Sequence, residues 1–278
     1  MQPTRLRGAE HEKLGEIATL AEGSAAIALS RGGAPKTYHY RDANEDVVGF
    51  LHGRGGSLAL VADGHGGREA AEIALAWALE ELGPRWVGAE ARELAAQFES
   101  EARAAAGALH AHILRACLGI EAQPCRTTLS LALVRPAEGW FGHWSVGDSH
   151  VFEVGGAQAL EPCALPEGSA AYLGDAAAPS EALADRTRVA VRELGETTCL
   201  VLATDGLSEL GIGVTNPCAV VAEVVAETLG RPPALRPLET ARALVERALV
   251  SHRSRRSGDN VAAAVLWLQE SAASHAAG

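Results

Sequence analysis

Five aspartates, each at the end of a short apolar run, constrain the fold more than any other feature of this sequence. They are Asp46, Asp63, Asp148, Asp205 and Asp259. A single run that ends in Asp-Gly is often only a turn. Five such ends in one chain indicate a carboxylate cluster that is assembled from distant segments. Because clustered carboxylates repel one another unless hard cations lie between them, we predict an oxygen-ligated metal site.

Composition and charge exclude several classes of function. The chain has 278 residues, of which 47% are hydrophobic, enough for one large core. The net charge of -11 argues against nucleic acid or an anionic membrane as a partner. The five cysteines form no C-x-x-C pair, which favours reduced thiols, and no segment has the length or polarity of a signal peptide or a membrane span. We expect a cytoplasmic monomer.

The apolar runs predict one α+β domain over residues 23–268, with a polar lead-in at 1–22 and a flexible tail at 269–278. Val47–Leu51 and Leu58–Ala62 flank a glycine-rich turn and predict a hairpin.

Further strands are expected in blocks, and Ala25–Leu29 among them is expected to be an edge strand. Pro217–Leu229 is a predicted helix that Asn216 caps. The weakly periodic segment 155–186 is interpreted as a loop or flap. Other predicted helices cover Arg68–Leu82, Glu90–Leu118 and Glu239–Val250. Because strand blocks flank helix pairs, we expect antiparallel sheets covered by helices.

From about Gly23 to Leu268 the chain resembles the PP2C-type (PPM) metal-dependent protein serine/threonine phosphatases. The matching segments, in the family order, are Arg41-x-x-Asn44-Glu45-Asp46, Val61-Ala62-Asp63-Gly64-His65-Gly66-Gly67, Thr127-Thr128, Val146-Gly147-Asp148-Ser149, Ala203-Thr204-Asp205-Gly206-Leu207 and Asp259-Asn260-Val261. The resemblance implies a four-layer α-β-β-α sandwich, in which helices flank two antiparallel sheets. It also implies hydrolysis of phosphoserine and phosphothreonine by a metal-bridging hydroxide. The substrates would be proteins that a Ser/Thr kinase has phosphorylated.

The same resemblance implies two Mn²⁺ or Mg²⁺ ions and a third, weaker one. Asp63 would bridge the two main ions, with Asp205 and Asp259 completing one of them. Glu45, Asp46 and the Gly64 carbonyl would hold the other. The residue implied for the third ion is Asp148, which would share it with Asp205; a tight turn is the alternative explanation of Asp148.

Two residues next to these motifs are candidates for the chemistry itself. In the family the arginine at the position of Arg41 binds the substrate phosphate, for which a guanidinium has a suitable fork of donors. The alternative is a surface salt bridge to Asp42 or Asp46. A histidine at position 65 could protonate the leaving oxygen, or it could only hydrogen-bond a metal ligand.

The sequence departs from the family pattern at two places beside the expected site. Arg126 stands where the family usually has glycine, and the segment after Val154 lacks a stretch that is common in relatives, although Tyr172-Leu173-Gly174 is similar to the family. Substrate preference is therefore the property that can least be inferred from the resemblance to the family. Two alternatives stay open: a non-catalytic binding module with this fold, and a phosphatase for a small phosphorylated metabolite.

Overall fold

The computed structural model describes residues 1–38, 40–88, 93–118, 125–161 and 171–268, apart from the side chains of 180–182. In chain order the strands are β1 (Thr4–Arg7), β2 (Ala18–Glu22), β3 (Ala25–Ser30), β4 (Val47–His52), β5 (Ser57–Ala62), β6 (Gly64–His65), β7 (Arg126–Thr127), β8 (Leu129–Arg135), β9 (Trp140–Val146), β10 (His150–Gly155), β11 (Gln158–Leu160), β12 (Arg188–Glu193), β13 (Thr197–Ala203) and β14 (Val261–Trp267).

Helices occupy the segments between the strand blocks. They are α1 (Glu69–Trp77), α2 (Gly83–Trp86), α3 (Leu94–Ala116), α4 (Ser180–Arg186), α5 (Pro217–Leu229) and α6 (Arg236–Arg255). A π-helical turn, Ala78–Leu82, joins α1 to α2, and short 3-10 turns cover Gly8–Glu10, Pro136–Glu138, Asp205–Leu207 and Pro233–Leu235. No helix within the described ranges combines the length and the apolar character that crossing a bilayer requires.

The strands form two six-stranded antiparallel sheets. The first sheet has the order β1-β4-β5-β8-β9-β12, and the second has the order β11-β10-β13-β14-β3-β2. A separate two-stranded pair, β6 with β7, lies beyond the end of β5. The sheets face each other across a core that includes Ile27, Phe50, Val61, Leu200 and Leu266, all of them buried.

Each sheet carries helices on its outer face. Leu75 of α1 and Phe98 and Leu109 of α3 pack on the first sheet, whereas Val224 of α5 and Leu244 of α6 pack on the second. Central strands are therefore buried on both faces, which explains why β8 and β14 are almost continuously apolar. The predicted four-layer α-β-β-α sandwich is confirmed.

The predicted position of one strand is wrong, and the reason lies in the first residues of the chain. Ala25–Leu29 was expected at a sheet edge, but β3 lies between β14 and β2 and is buried throughout. The covering strand β2 comes from residues 1–22, which also supply β1 as an edge strand of the first sheet. Because β2 is largely exposed, its sequence is polar enough to have been interpreted as part of a polar lead-in. The expected tail at 269–278 lies outside the described residues.

Local signals set the ends of several elements. The Asn216 side chain accepts a hydrogen bond from the Ala219 backbone N–H at 3.0 Å, so the predicted cap of α5 is confirmed. The predicted hairpin is β4–β5, with Val47 paired to Ala62 at its open end. This pairing determines where the residues just outside the hairpin lie, and those residues are Asp46 and Asp63.

Two glycines, one in β9 against α3 and one on an open side of α3, predict opposite effects of substitution by alanine. A Cβ at Gly142 would lie 2.7 Å from the ring of Phe98, which is fully buried and packs on Trp86 and Trp140. A Cβ at Gly107, inside α3, would meet no atom within 4 Å. We expect Gly142→Ala to lower the free energy of unfolding by about 1–3 kcal/mol and Gly107→Ala to raise it by up to about 1 kcal/mol.

Urea denaturation of both variants, followed by circular dichroism, tests this pair. Equal effects of the same sign would contradict the described packing of α3 on β9.

Candidate active site

Strand pairing brings the predicted aspartates together. Asp46 directly precedes β4 and Asp63 directly follows β5, so the pairing of these strands makes the two residues neighbours. In the second sheet, Asp205 follows β13 and Asp259 precedes β14, which pairs with β13. Asp148 lies in the turn between β9 of the first sheet and β10 of the second. The site is therefore at the seam where the two sheets meet.

One cavity of about 600 Å³ opens at this seam. The predicted site residues that line it are Arg41, Glu45, Asp63, Gly64, His65, Asp148, Asp205 and Asp259. Asp46 lies behind the cavity wall, 1% exposed, and its charge acts on Asp63. The structure thus brings together every residue that the sequence analysis assigned to the site.

Two threonines hold the bridging candidate Asp63 in place. The Asp63 backbone N–H donates to Thr128 Oγ1 at 2.9 Å. The Asp63 carbonyl accepts from Thr127 Oγ1 at 2.8 Å and from the Thr128 backbone N–H at 3.0 Å. Both threonines are fully buried. These bonds fix the backbone at the point where β5 gives way to β6, and they explain the role of the Thr127-Thr128 motif.

Two polar residues connect the sheets behind the carboxylates. Asn260, beside Asp259, accepts a hydrogen bond from the Glu45 backbone N–H at 2.9 Å. Thr204, beside Asp205, donates to Asp46 Oδ2 at 2.7 Å and accepts from the Ala262 backbone N–H at 2.9 Å. The Glu45–Asn260 and Thr204–Asp46 bonds cross from one sheet to the other, so the two halves of the site are held in register.

Burial and mutual repulsion disfavour the charged forms of the carboxylates. Burial, followed by the charge of Asp259, raises the pKa of Asp46 to about 8. Burial and the charge of Asp46 raise the pKa of Asp63 well above its usual value, and burial and the charge of Asp63 do the same for Asp205. Burial also raises the pKa of Glu45. Such a cluster is stabilised by any cation that enters it.

Lys36 supplies one cation that the sequence analysis missed. Its Nζ lies 3.0 Å from Asp259 Oδ1, and its side chain is only 5% exposed. Burial alone would lower the pKa of Lys36, but the charges of Asp259, Asp63 and Asp46 outweigh it and raise the pKa. Lys36 belongs to none of the matching motifs, and no local pattern distinguishes it from a surface lysine.

The donor set fits divalent cations. Asp46 Oδ1 and Asp148 Oδ1 are buried and have no hydrogen-bond partner among the described residues. Asp205, Glu209 and Asp259 each offer a carboxylate oxygen, and these oxygens lie within 4.8 Å of one another. All are hard oxygen ligands of the kind that Mg²⁺ and Mn²⁺ prefer. Glu209 was not among the predicted ligands, because it follows the Asp205 motif rather than lying inside it.

Gly64 has a steric reason to be glycine. A Cβ at this position would lie 2.8 Å from the Glu45 carbonyl oxygen and 2.9 Å from that of Gly67. A side chain would therefore displace the backbone beside Asp63 and Glu45. This close approach is compatible with the predicted use of the Gly64 carbonyl as a ligand.

Arg41 lies at the cavity and also forms salt bridges, among them the expected one with Asp42. Its guanidinium lines the cavity, and it also forms ion pairs with Glu69 and, at 3.6 Å, with Asp42. Its Nη1 lies 3.7 Å from Cys125 Sγ. The Glu45 carboxylate accepts from the backbone N–H groups of Arg41 at 3.2 Å and Asp42 at 3.1 Å. Arg41 is thus held at the cavity by its salt bridges.

His65 faces both the carboxylates and the flap. Its Nε2 lies 3.3 Å from Asp63 Oδ2, and its ring meets the Tyr172 ring edge-on, with centroids 4.7 Å apart. Nε2 is buried without an aligned hydrogen-bond partner among the described residues. Burial lowers the pKa of His65, although the charge of Asp148 opposes this.

A serine–histidine–glutamate chain beside the site has a structural role. His150 Nε2 lies 2.6 Å from Ser208 Oγ, and His150 Nδ1 lies 2.7 Å from Glu161 Oε1. A serine hydrolase would also need free backbone donors for an oxyanion. The N–H groups of Ser208 and Glu209 both bond to the Asp205 carbonyl instead. These two hydrogen bonds of His150 therefore link the start of the flap to the Asp205 segment.

Comparisons with known proteins agree with this geometry. The family model of protein phosphatase 2C matches residues 35–261. The chain belongs to the protein phosphatase 2C family. Metal-dependent dephosphorylation of serine and threonine in proteins, the activity of this family, is accordingly its activity. A non-catalytic module is not favoured, since the full carboxylate set converges on one cavity.

Solved structures show the same fold at low sequence identity. Serine/threonine phosphatase Stp1 from Staphylococcus aureus is 20% identical with a TM-score of 0.61, and the match covers 90% of this chain and 96% of that one. The catalytic domain of the phosphatase PstP, solved with two manganese ions, is 22% identical with a TM-score of 0.57 over 90% and 98%. A bacterial serine phosphatase is 19% identical with a TM-score of 0.64 over 89% and 98%. No curated protein matches the sequence significantly.

Thr204 provides a test of the connection between the sheets. We expect Thr204→Val to lower the free energy of unfolding by about 1–3 kcal/mol, because it leaves the buried Asp46 carboxylate and the Ala262 N–H each without a partner. Thr204→Ser keeps the hydroxyl and serves as the control. Guanidinium denaturation in the presence of chelator measures both variants. A Val variant as stable as the Ser variant would contradict the inferred role of the hydroxyl.

Proposed function

We propose that the cavity at the seam is the catalytic site and that its residues act in the roles that the family resemblance implies. The observation that supports this proposal is the convergence of buried, mutually repelling carboxylates beside Arg41 and His65 in one cavity.

The carboxylates would hold divalent cations, Mn²⁺ or Mg²⁺. Asp63 would be shared by two principal ions, one of which would also be held by Asp205 and Asp259. Glu45, Asp46 and the Gly64 carbonyl would hold the second, and Asp148 and Asp205 would hold a third, weaker ion. When bound, such ions lower the pKa of a water molecule and neutralise charge on the phosphoryl group.

Arg41 binds the phosphoryl oxygens of the substrate. Its ion pair with Glu69 and its contact with Cys125 orient the guanidinium before substrate arrives, so that little side-chain freedom is lost on binding. His65 holds the proton that the leaving seryl or threonyl oxygen receives. Its position beside Asp63 and the edge of Tyr172 keeps the ring at the cavity.

The substrates we propose are phosphorylated proteins produced by a Ser/Thr kinase, and the proposed form is a cytoplasmic monomer. The free thiols of Cys117, Cys199 and Cys218 support a reducing compartment. A small phosphorylated metabolite is the competing substrate class. Membership of the protein phosphatase 2C family favours a protein substrate.

Metal removal tests the site as a whole. We expect turnover of phosphopeptides with Mn²⁺ or Mg²⁺, none with chelator, and a loss of at least about 100-fold for Asp63→Asn, because the bridging carboxylate serves both ions. Mn²⁺ should also raise the melting temperature of the wild type but not that of Asp205→Asn, since cations relieve the repulsion at Asp205.

Asp185→Asn, an exposed carboxylate outside the site, is the matched control and should behave like the wild type. If folded protein kept its activity in the presence of chelator, the proposed metal site would be contradicted. Turnover of small phosphate esters alone would favour the metabolite class.

A change of leaving group tests His65. Departure of an alkoxide from phosphoserine requires a proton, whereas nitrophenolate leaves without one. We expect His65→Ala to lower kcat for a phosphopeptide by about 10- to 100-fold and kcat for nitrophenyl phosphate by less than about threefold. Equal losses on both substrates would assign His65 a role in holding Asp63, and isothermal titration with Mn²⁺ would then show weaker metal binding.

A further inference from the structure

Arg126 is a cationic residue at the cavity that the proposed chemistry does not use. It lies in β7, directly opposite His65 of β6 in the strand register, and it lines the cavity with a side chain that is 42% exposed. Its charge is one of those that act on His65. The residue is thus near the reacting centre but reaches toward solvent.

Tyr172 gives the Arg126 side chain a defined place. The guanidinium carbon lies 4.6 Å from the centroid of the Tyr172 ring, a cation–π distance. The Tyr172 hydroxyl in turn donates to Asp148 Oδ2 at 3.1 Å. Leu173 and Thr127 exchange two backbone hydrogen bonds of 2.9 Å, which hold this end of the flap against β7. Arg126 is therefore presented on a fixed platform.

The charge of Arg126 is less compensated than the other cations of the cavity. Arg41 is paired with Glu69 and Asp42, and Lys36 is paired with Asp259 at 3.0 Å. Among the described residues, the ion pair of Arg126 is a long contact of 3.9 Å with Asp175. Most of its planar fork of N–H donors is thus available to an anion that enters the cavity.

We propose that Arg126, on its Tyr172 platform, forms a subsite for an anionic side chain close in sequence to the phosphorylated residue of the substrate. The ring of Tyr172 contacts both His65 and Arg126, which places the arginine next to the residue that is proposed to serve the leaving oxygen. The subsite selects phosphoproteins that carry a carboxylate or a second phosphate next to the phosphoserine or phosphothreonine. This inference rests on the proposed function and specifies its substrate class.

Kinetics on matched peptides test the subsite. The substrates are phosphoserine peptides with Glu, phosphoserine or Ala at positions one to three residues away on either side, together with nitrophenyl phosphate. For the preferred acidic peptide we expect Arg126→Ala to lower kcat/KM by about 5- to 20-fold, mainly through a higher KM, because a charge-assisted contact is lost. Neutral peptides and nitrophenyl phosphate should change by less than about twofold, since they do not reach the arginine.

Two further variants sharpen the result. Arg126→Lys keeps the charge but not the planar fork, and should recover part of the preference. Arg54→Ala removes the same charge from the exposed turn at the other end of β5, and should leave all rates unchanged. The Glu and phosphoserine peptides distinguish a carboxylate subsite from a phosphate subsite.

The outcomes separate this inference from the proposed function. Equal losses on all substrates would place Arg126 on the reacting phosphate and overturn the subsite, as would a wild type with no preference for acidic peptides. Failure of the folded, Mn²⁺-loaded wild type to hydrolyse any substrate would overturn the proposed function instead. Fluorescence anisotropy of the labelled acidic peptide, compared between wild type and Arg126→Ala, then decides the subsite by binding alone.

Discussion

Repulsion among buried carboxylates is the constraint on which the rest of this structure depends. Asp46, Asp63 and Asp205 are removed from water and placed beside one another, which raises the pKa of each. Nothing local in the chain favours this arrangement, so the packing of the two sheets must impose it. Lys36 offsets part of the charge, and divalent cations offset more of it. The repulsion that makes the cluster unfavourable is thus what gives it affinity for metal.

An antiparallel sandwich is well suited to imposing such a cluster. In an antiparallel pair, the end of one strand lies beside the start of its partner, so each pair brings two chain segments to the same end of the sheet. Two sheets that face each other therefore bring four such segments together. The bonds from Thr204 to Asp46 and from Glu45 to Asn260 then lock one sheet against the other. The outer helices pack on the far faces and leave the seam open for substrate.

Apolar runs and motif order predicted most of the strands, the hairpin, the α5 cap, and Glu45 with the five aspartates of the cluster. These features depend on neighbours in sequence or on a strand end, which a pattern can indicate. The position of β3 inside its sheet was missed because β2, its covering strand, is short and half polar. Lys36 and Glu209 were missed as site residues, and the contact of Arg126 with Tyr172 was not foreseen, for a related reason: each acts through a partner that sequence spacing does not reveal.

The sequence by itself determined the ligand chemistry: which oxygens are present, that they flank apolar strands, and which arginine and histidine stand next to them. Only the tertiary structure decided which charges meet. Lys36 forms an ion pair with Asp259, which lies near the other end of the sequence. Arg126 forms a cation–π contact with Tyr172 of the flap. Such contacts depend on how two sheets and a returning loop pack, and packing is a property of the whole core that no single segment encodes.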